Sequence, residues 1–263
     1  MQHTTSADGT AIAYEQSGSG PALVFVLGAF NDRHSFGDLA AVLADDFTVY
    51  RYDRRGRGDS TDTAPYAVQR EVEDLAAVIE AAGGTAGVFG HSSGAILGLE
   101  AAVAGLPISR LAVYEPPYIV GSERVRPTGL ADEIDEALAA GRPGDAVAAF
   151  LTQAVELPQQ AIAGMRQSPM WPALEALAPT LPYDLALSGD QQVPERLATI
   201  TVPTLALTGE DSPPWARNSV EAVAAMIPGG RAQSVAGSHQ ISEAALAPVL
   251  TEFLLAADEV ASR

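Results

Sequence analysis

The stretch TAGVFGHSSGAILGLEAA, Thr85 to Ala102, constrains the fold of this chain more than any other. A short apolar run of strand type enters a turn in which glycines bracket His91, Ser92 and Ser93, and a helix of small residues leaves it. A reversal this abrupt holds its apex residue at positive φ, where bulky neighbours would collide and glycine is favoured on either side. Gly90-x-Ser92-x-Gly94 between a strand and a helix is the nucleophile-elbow pattern. It stands the serine at a helix N-terminus, where amides and the helix dipole stabilise developing negative charge. Without that flanking context the same residues would be an ordinary glycine-rich turn.

The rest of the chain supplies the frame such a turn needs. Alternation around Asp8-Gly9 predicts a hairpin of two short strands with a primed turn. ALVFVL (Ala22 to Leu27), FTVYRY (Phe47 to Tyr52), GVF and RLAVYE (Arg110 to Glu115) read as buried strands. Between them lie helical patterns in SFGDLAAVLAD and in EVEDLAAVIEAA, the latter stopped by Gly83-Gly84. Strands alternating with helices predict an α/β fold, a mostly parallel sheet covered on both faces. From Pro116 to about Ala198 the rhythm lapses into short helical patterns with recurrent prolines, and it resumes at TVPTLALTGED, RAQSVAGSHQ and a closing helix from Ser242 to Val260. The division expected is therefore a core of residues 1–115 and 199–263 carrying a helical insertion, 116–198.

Composition narrows the chemistry. The net charge of −18, spread along the chain, argues against nucleic acid or an anionic membrane as partner. The chain has no cysteine, and all 15 basic residues are arginine, which excludes thiolate, Schiff-base and P-loop lysine chemistry. No apolar run reaches the roughly 18 residues of a membrane span, and MQHTTSADGT lacks the pattern of a signal peptide. A cytoplasmic protein is expected, with oligomerisation left open. Only His3, His34, His91 and His239 are available to a mechanism that needs an imidazole.

Five marks together resemble the α/β-hydrolase fold over essentially the whole chain: the elbow, LGAF after the first buried strand, DRRGRGDS, TVPTLALTGED, and AGSH before the last helix. The resemblance extends to small ester and lactone hydrolases of the zearalenone-lactonase kind, which carry an acid directly after the strand that follows the elbow helix. It implies Ser92 as nucleophile and His239, between the last strand and the closing helix, as general base. His91 is then internal to the elbow, His34 a loop residue and His3 part of an end strand. For the acid, family members often have Gly-x-x-Asp after the penultimate core strand, but Gly209-Glu210-Asp211-Ser212 places a serine there and Asp211 one residue out of register. Glu115, ending an apolar strand before two prolines, is preferred, with Asp211 as the alternative.

The resemblance further implies acyl transfer without a cofactor or metal. Oxyanion donors would come from the Ser93 amide and from the loop amides of Ala29 or Phe30, although Leu27 stands where the family usually has a histidine. The insertion would roof the elbow, with Trp171, Met165, Met170, Tyr118 and Tyr183 facing a small hydrophobic ester or lactone. A serine at the elbow disfavours dehalogenase and epoxide hydrolase action, which use an aspartate there. The same triad serves carbon–carbon and thioester hydrolysis and cofactor-free perhydrolysis, and receptor-like proteins share the fold.

Overall fold

A computed structural model describes residues 1–121 and 127–257. Its eight strands are β1 (Gln2–Thr5), β2 (Ala11–Gly18), β3 (Ala22–Val26), β4 (Thr48–Tyr52), β5 (Ala86–His91), β6 (Ile108–Tyr114), β7 (Thr204–Gly209) and β8 (Arg231–Val235). They form one sheet in the order β1-β2-β4-β3-β5-β6-β7-β8, antiparallel at the first two pairings and parallel thereafter. β3, β4, β5 and β6 are the strands read from apolar runs, and together with β7 they occupy the interior of the sheet.

Helices α2 (Val68–Ala81), α3 (Ser93–Val103) and α9 (Pro214–Met226) bury Leu75, Val78, Leu97, Val220 and Val223 against one face. α1 (Gly37–Leu43) and α10 (Glu243–Leu255) bury Leu39, Leu43, Leu246 and Leu250 against the other. The small residues of α3 let it lie close on the sheet: a Cβ at Gly98 would stand 3.2 Å from Leu111 Cδ1. Among the described residues no helix is long and apolar enough to cross a membrane.

Between β6 and β7 lie α4 (Leu130–Ala139), α5 (Pro143–Gln153), α6 (Gln159–Met165), α7 (Trp171–Leu177) and α8 (Leu181–Ser188). These inserted helices have their own apolar centre of Leu130, Ile134, Val147, Phe150, Trp171 and Leu181, on which Ala29 and Phe30 of the main body pack.

Two local expectations need correction. The first hairpin does not turn on a primed Asp8-Gly9 pair: Gly9 is at φ 88° but Asp8 is not in the left-handed region, and Ser6 and Thr10 close a three-residue loop through Ser6 N–H to Thr10 O, 2.8 Å. That is a type I turn ended by a glycine bulge, which also accommodates the strand twist. The closing helix stops at Leu255, where Ala256 turns extended, and Asp258 to Val260 lie outside the described residues.

Candidate active site

Ser92 sits between β5 and α3 at φ 56°, ψ −125°, its amide donating to Tyr114 O across the sheet at 2.9 Å. The glycines beside it serve close approach, since neither lies at positive φ. A Cβ at Gly90 would fall 2.7 Å from Ala95 Cα, and one at Gly94 only 2.1 Å from Val26 O. A third glycine belongs to the same requirement: at Gly28, in the loop after β3, a Cβ would come within 2.9 Å of Ser92 Cβ. The tight turn therefore presses the serine against the β3 loop, and Phe30 in that loop is itself at φ 60°.

Strand register brings the other groups to the same edge. His91 pairs with Tyr114, Tyr114 with Leu207, and Gly209 with Val235, so the residues after β5, β6, β7 and β8 all emerge at the carboxyl ends of the parallel strands. Glu115 follows β6 at φ 48°, fully buried, and its Oε2 accepts a hydrogen bond from His239 Nδ1 at 2.7 Å. Its Oε1 accepts from Thr208 Oγ1 at 3.0 Å, from the Gly209 amide at 2.8 Å and from Ser212 Oγ. Burial alone would raise the Glu115 pKa, but the bonds from His239, Ser212 and Gly209 outweigh it and hold the carboxyl below its ordinary value. An ionised Glu115 keeps the proton of a neutral His239 on Nδ1 and leaves the Nε2 lone pair available. Ser92 Oγ and His239 are not hydrogen-bonded to each other in this structure.

The loop carrying His239 is held at two successive carbonyls. Tyr114 donates its hydroxyl to Ser238 O at 2.7 Å, and His91 donates from Nε2 to His239 O at 3.1 Å. The residue before Ser92 and the residue before Glu115, cross-strand partners, thus both grip the backbone of the histidine loop. Burial, with a smaller contribution from His239, pushes the His91 pKa down to about 3, so it is the neutral ring that donates. Trp215, at the start of α9, has its ring 6.2 Å from that of His239.

Behind the elbow lies a cluster of buried charge. Arg54 makes a bidentate pair with Glu71 at 2.5 and 2.6 Å, and Arg54 and Arg57 both reach Asp184 of α8, at 2.7 and 2.8 Å. Asp184 also accepts from Ser93 Oγ at 2.7 Å, while Arg57 donates to Gly28 O at 2.6 Å. Burial opposes ionisation of Asp184, but Arg57 and Arg54 outweigh it and keep its pKa low.

Residues 23–249 match the model of the alpha/beta hydrolase family. The chain belongs to that family. An alpha/beta hydrolase from Sphaerobacter thermophilus DSM 20745 is similar over 96% of this chain and 99% of its own, at 52% identity and a TM-score of 0.92. A hydrolase from Pseudomonas aeruginosa PA01 is 26% identical with a TM-score of 0.75, over 97% of this chain and 98% of its own. The enol-lactonase from Burkholderia xenovorans LB400 shares the fold at 22% identity and a TM-score of 0.70, over 96% of this chain and 99% of its own. The uncharacterized hydrolase YraK of Bacillus subtilis (strain 168) is 36% identical over 101 residues, and that match covers only 37% of each chain.

In this alpha/beta hydrolase the structure joins Glu115, not Asp211, to His239: Asp211 is exposed, and its amide donates to Gly237 O at 2.9 Å. His3 and His34 are exposed and stand outside the cluster. The aromatic and methionine residues expected to face substrate are not gathered at the elbow. Trp171 is buried in the centre of the inserted helices, with Nε1 donating to Glu175 at 2.8 Å, and half-buried Met165 packs on that same centre. Met170 is 63% exposed. Tyr183 stacks on Tyr66 at 3.8 Å and bonds Asp62. Tyr118 is buried in the main core and borders a cavity of about 650 Å³ that none of Ser92, Glu115 and His239 lines. Asp184 reaches the elbow from the inserted helices, and Trp215 lies beside His239. Neither was singled out from sequence. The only signal was indirect: three closely spaced arginines in DRRGRGDS need buried acids if they face inward.

Proposed function

We propose that this alpha/beta hydrolase cleaves a small hydrophobic carboxylic ester or lactone through a Ser92-His239-Glu115 triad and an acyl-enzyme. The observation that carries the reading is the 2.7 Å bond between buried Glu115 and His239 Nδ1, at the sheet edge where Ser92 is held at φ 56°. His239 Nε2 takes the Ser92 proton as Oγ attacks the carbonyl, and Glu115 stabilises the imidazolium that forms. The Ser93 amide and an amide of the loop at Ala29 or Phe30 receive the oxyanion, and the protonated imidazole hands its proton to the leaving oxygen. Water activated by His239 then releases the acid.

The inserted helices, 116–198, act in this reading as a cap on a core of residues 1–115 and 199–263, with Ala29 and Phe30 at the junction. Phe30 meets Phe150 of α5 edge-on with centroids 5.5 Å apart, an apolar wall that suits a hydrophobic acyl or ring system. The fold shared with an enol-lactonase and with esterases agrees with this substrate class.

The test is a panel of esters and lactones of increasing acyl size, followed by acid release, with fluorophosphonate labelling of the same preparation. One label on Ser92 and turnover on the panel are expected, and Ser92→Ala loses both while remaining folded. Labelling that persists in Ser92→Ala overturns the assignment.

A further inference from the structure

Asp184 uses its two carboxylate oxygens on the two segments that would supply the oxyanion donors. Oδ1 accepts from Ser93 Oγ at 2.7 Å, so it holds the residue whose amide follows the nucleophile. Oδ2 accepts from Arg57 Nη2 at 2.8 Å, and the other arm of the same guanidinium, Nη1, donates to Gly28 O at 2.6 Å. In a trans peptide the C=O and N–H point opposite ways. Arg57, by drawing Gly28 O toward itself, therefore directs the Ala29 N–H of that peptide away from the arginine. The planar guanidinium has a rigid fork, so the position of Gly28 O is referenced to Asp184 at a set spacing, which a lysine ammonium could not reproduce.

The energetics of the cluster argue for a positional role. Asp184 and Arg57 are each 1% exposed, and Arg57 Nε has no partner among the described residues. Burying ion pairs of this kind contributes little net stability, because desolvation offsets the attraction, and apolar replacements often do as well. An arginine left with one buried N–H unsatisfied is a poor stabilising device. Its two committed nitrogens fix one carboxylate and the loop after β3, through Gly28 O at 2.6 Å and, more weakly, Asn31 O at 3.4 Å.

We infer that Asp184 and Arg57 are positioning residues for the oxyanion hole, with the inserted helix α8 supplying the reference point for both donors. The inference rests on the serine-hydrolase reading above. On it, the insertion is part of the catalytic machinery, since α8 cannot move away from the core without releasing Ser93 and the β3 loop.

Arg57→Lys keeps the charge and loses the fork, and Ser93→Ala cuts the link to Oδ1 while keeping the Ser93 amide. Loss of a whole oxyanion donor typically lowers kcat about 10²- to 10³-fold. Displacing one should do less: roughly 10- to 100-fold in kcat for Arg57→Lys and a smaller drop for Ser93→Ala, with KM little changed. The deciding readout is a trifluoromethyl ketone, whose tetrahedral adduct carries the oxyanion, set against the corresponding carboxylic acid product, which does not. Binding of the ketone should weaken by the same factor as kcat/KM in both variants, while binding of the acid holds. Unchanged kcat/KM in a folded Arg57→Lys protein overturns the inference. So does parallel weakening of ketone and acid, which would mark a purely structural role. If Arg57→Lys does not fold, Ser93→Ala decides by the same criterion. Labelling of wild-type Ser92 by fluorophosphonate is scored separately: without it the serine-hydrolase reading fails, whereas with it and an unaffected ketone only the positioning role fails.

Discussion

Ser212 donates its hydroxyl hydrogen to Glu115 Oε1, so the position after β7 at which the family resemblance expects an aspartate supplies only a hydrogen bond to an acid carried by β6. The adjacent Asp211 points its charge into solvent. Glu115→Gln should therefore lower kcat on the order of 10⁴-fold, through the wrong imidazole tautomer, while Asp211→Asn keeps most activity. Steady-state kinetics on a panel substrate checks this, and the reverse ranking would move the acid to Asp211.

Glu115 also links stability to pH. Its folded pKa is depressed, so the stability it contributes is present above its unfolded value, near 4.3, and is lost as pH falls through the folded value. Ser212→Ala removes one of the bonds that depress it. In acid denaturation below about pH 4.3, the variant should show a shallower loss of stability than wild type, from a starting point lower by about 1 to 3 kcal/mol.

His91 gives the opposite ionic case with the same sign. Its pKa is lowered to about 3 from 6.5, so the unfolded chain binds the proton first, and stability falls as pH drops from about 6.5 toward 3. His91→Asn should flatten that slope in urea unfolding measured across the range. His239→Ala should lose several orders of magnitude of activity, and His3→Ala and His34→Ala little. If His34→Ala proved as damaging as His239→Ala, the base would be misassigned.

Two glycines make a paired test of packing. Gly94→Ala places a Cβ 2.1 Å from Val26 O, and the overlap should cost about 1–3 kcal/mol and displace Ser92, with activity falling further than stability. Gly164, in α6 with nothing within 4 Å of its added Cβ, should gain roughly 0.5–1 kcal/mol as alanine. Thermal melts of the two variants moving in the same direction would contradict the close approach at the elbow.

Trp171 separates packing from recognition within the inserted helices. Buried with Phe150 and Leu181 and bonded to Glu175, it should cost about 3–5 kcal/mol on truncation to alanine, with substrate preference across the panel unchanged in the protein that folds. A changed acyl-size preference without lost stability would return it to the substrate wall.

The local physics of this chain was legible from its residues. Apolar runs of strand length, helical spacing between them and a glycine-bracketed serine are short-range patterns, and they determined the α/β frame, the helical interruption after β6 and the place of Ser92 and His239 at strand ends. Glu115 and Asp211 both follow core strands, and the sequence favoured Glu115 only through the family resemblance and the one-residue offset of Asp211; strand register and the φ of 48° after Tyr114 turned Glu115 toward His239. Trp171 and Tyr118 looked like substrate contacts because an aromatic residue has the same sequence signature whether it fills a core or faces a cavity. Asp184 meets Arg54 and Arg57 across 130 and 127 positions of chain. Such a pairing has no periodicity and no motif: ion partners are chosen by proximity after burial has removed water, and that proximity exists only once α8 has packed against the elbow.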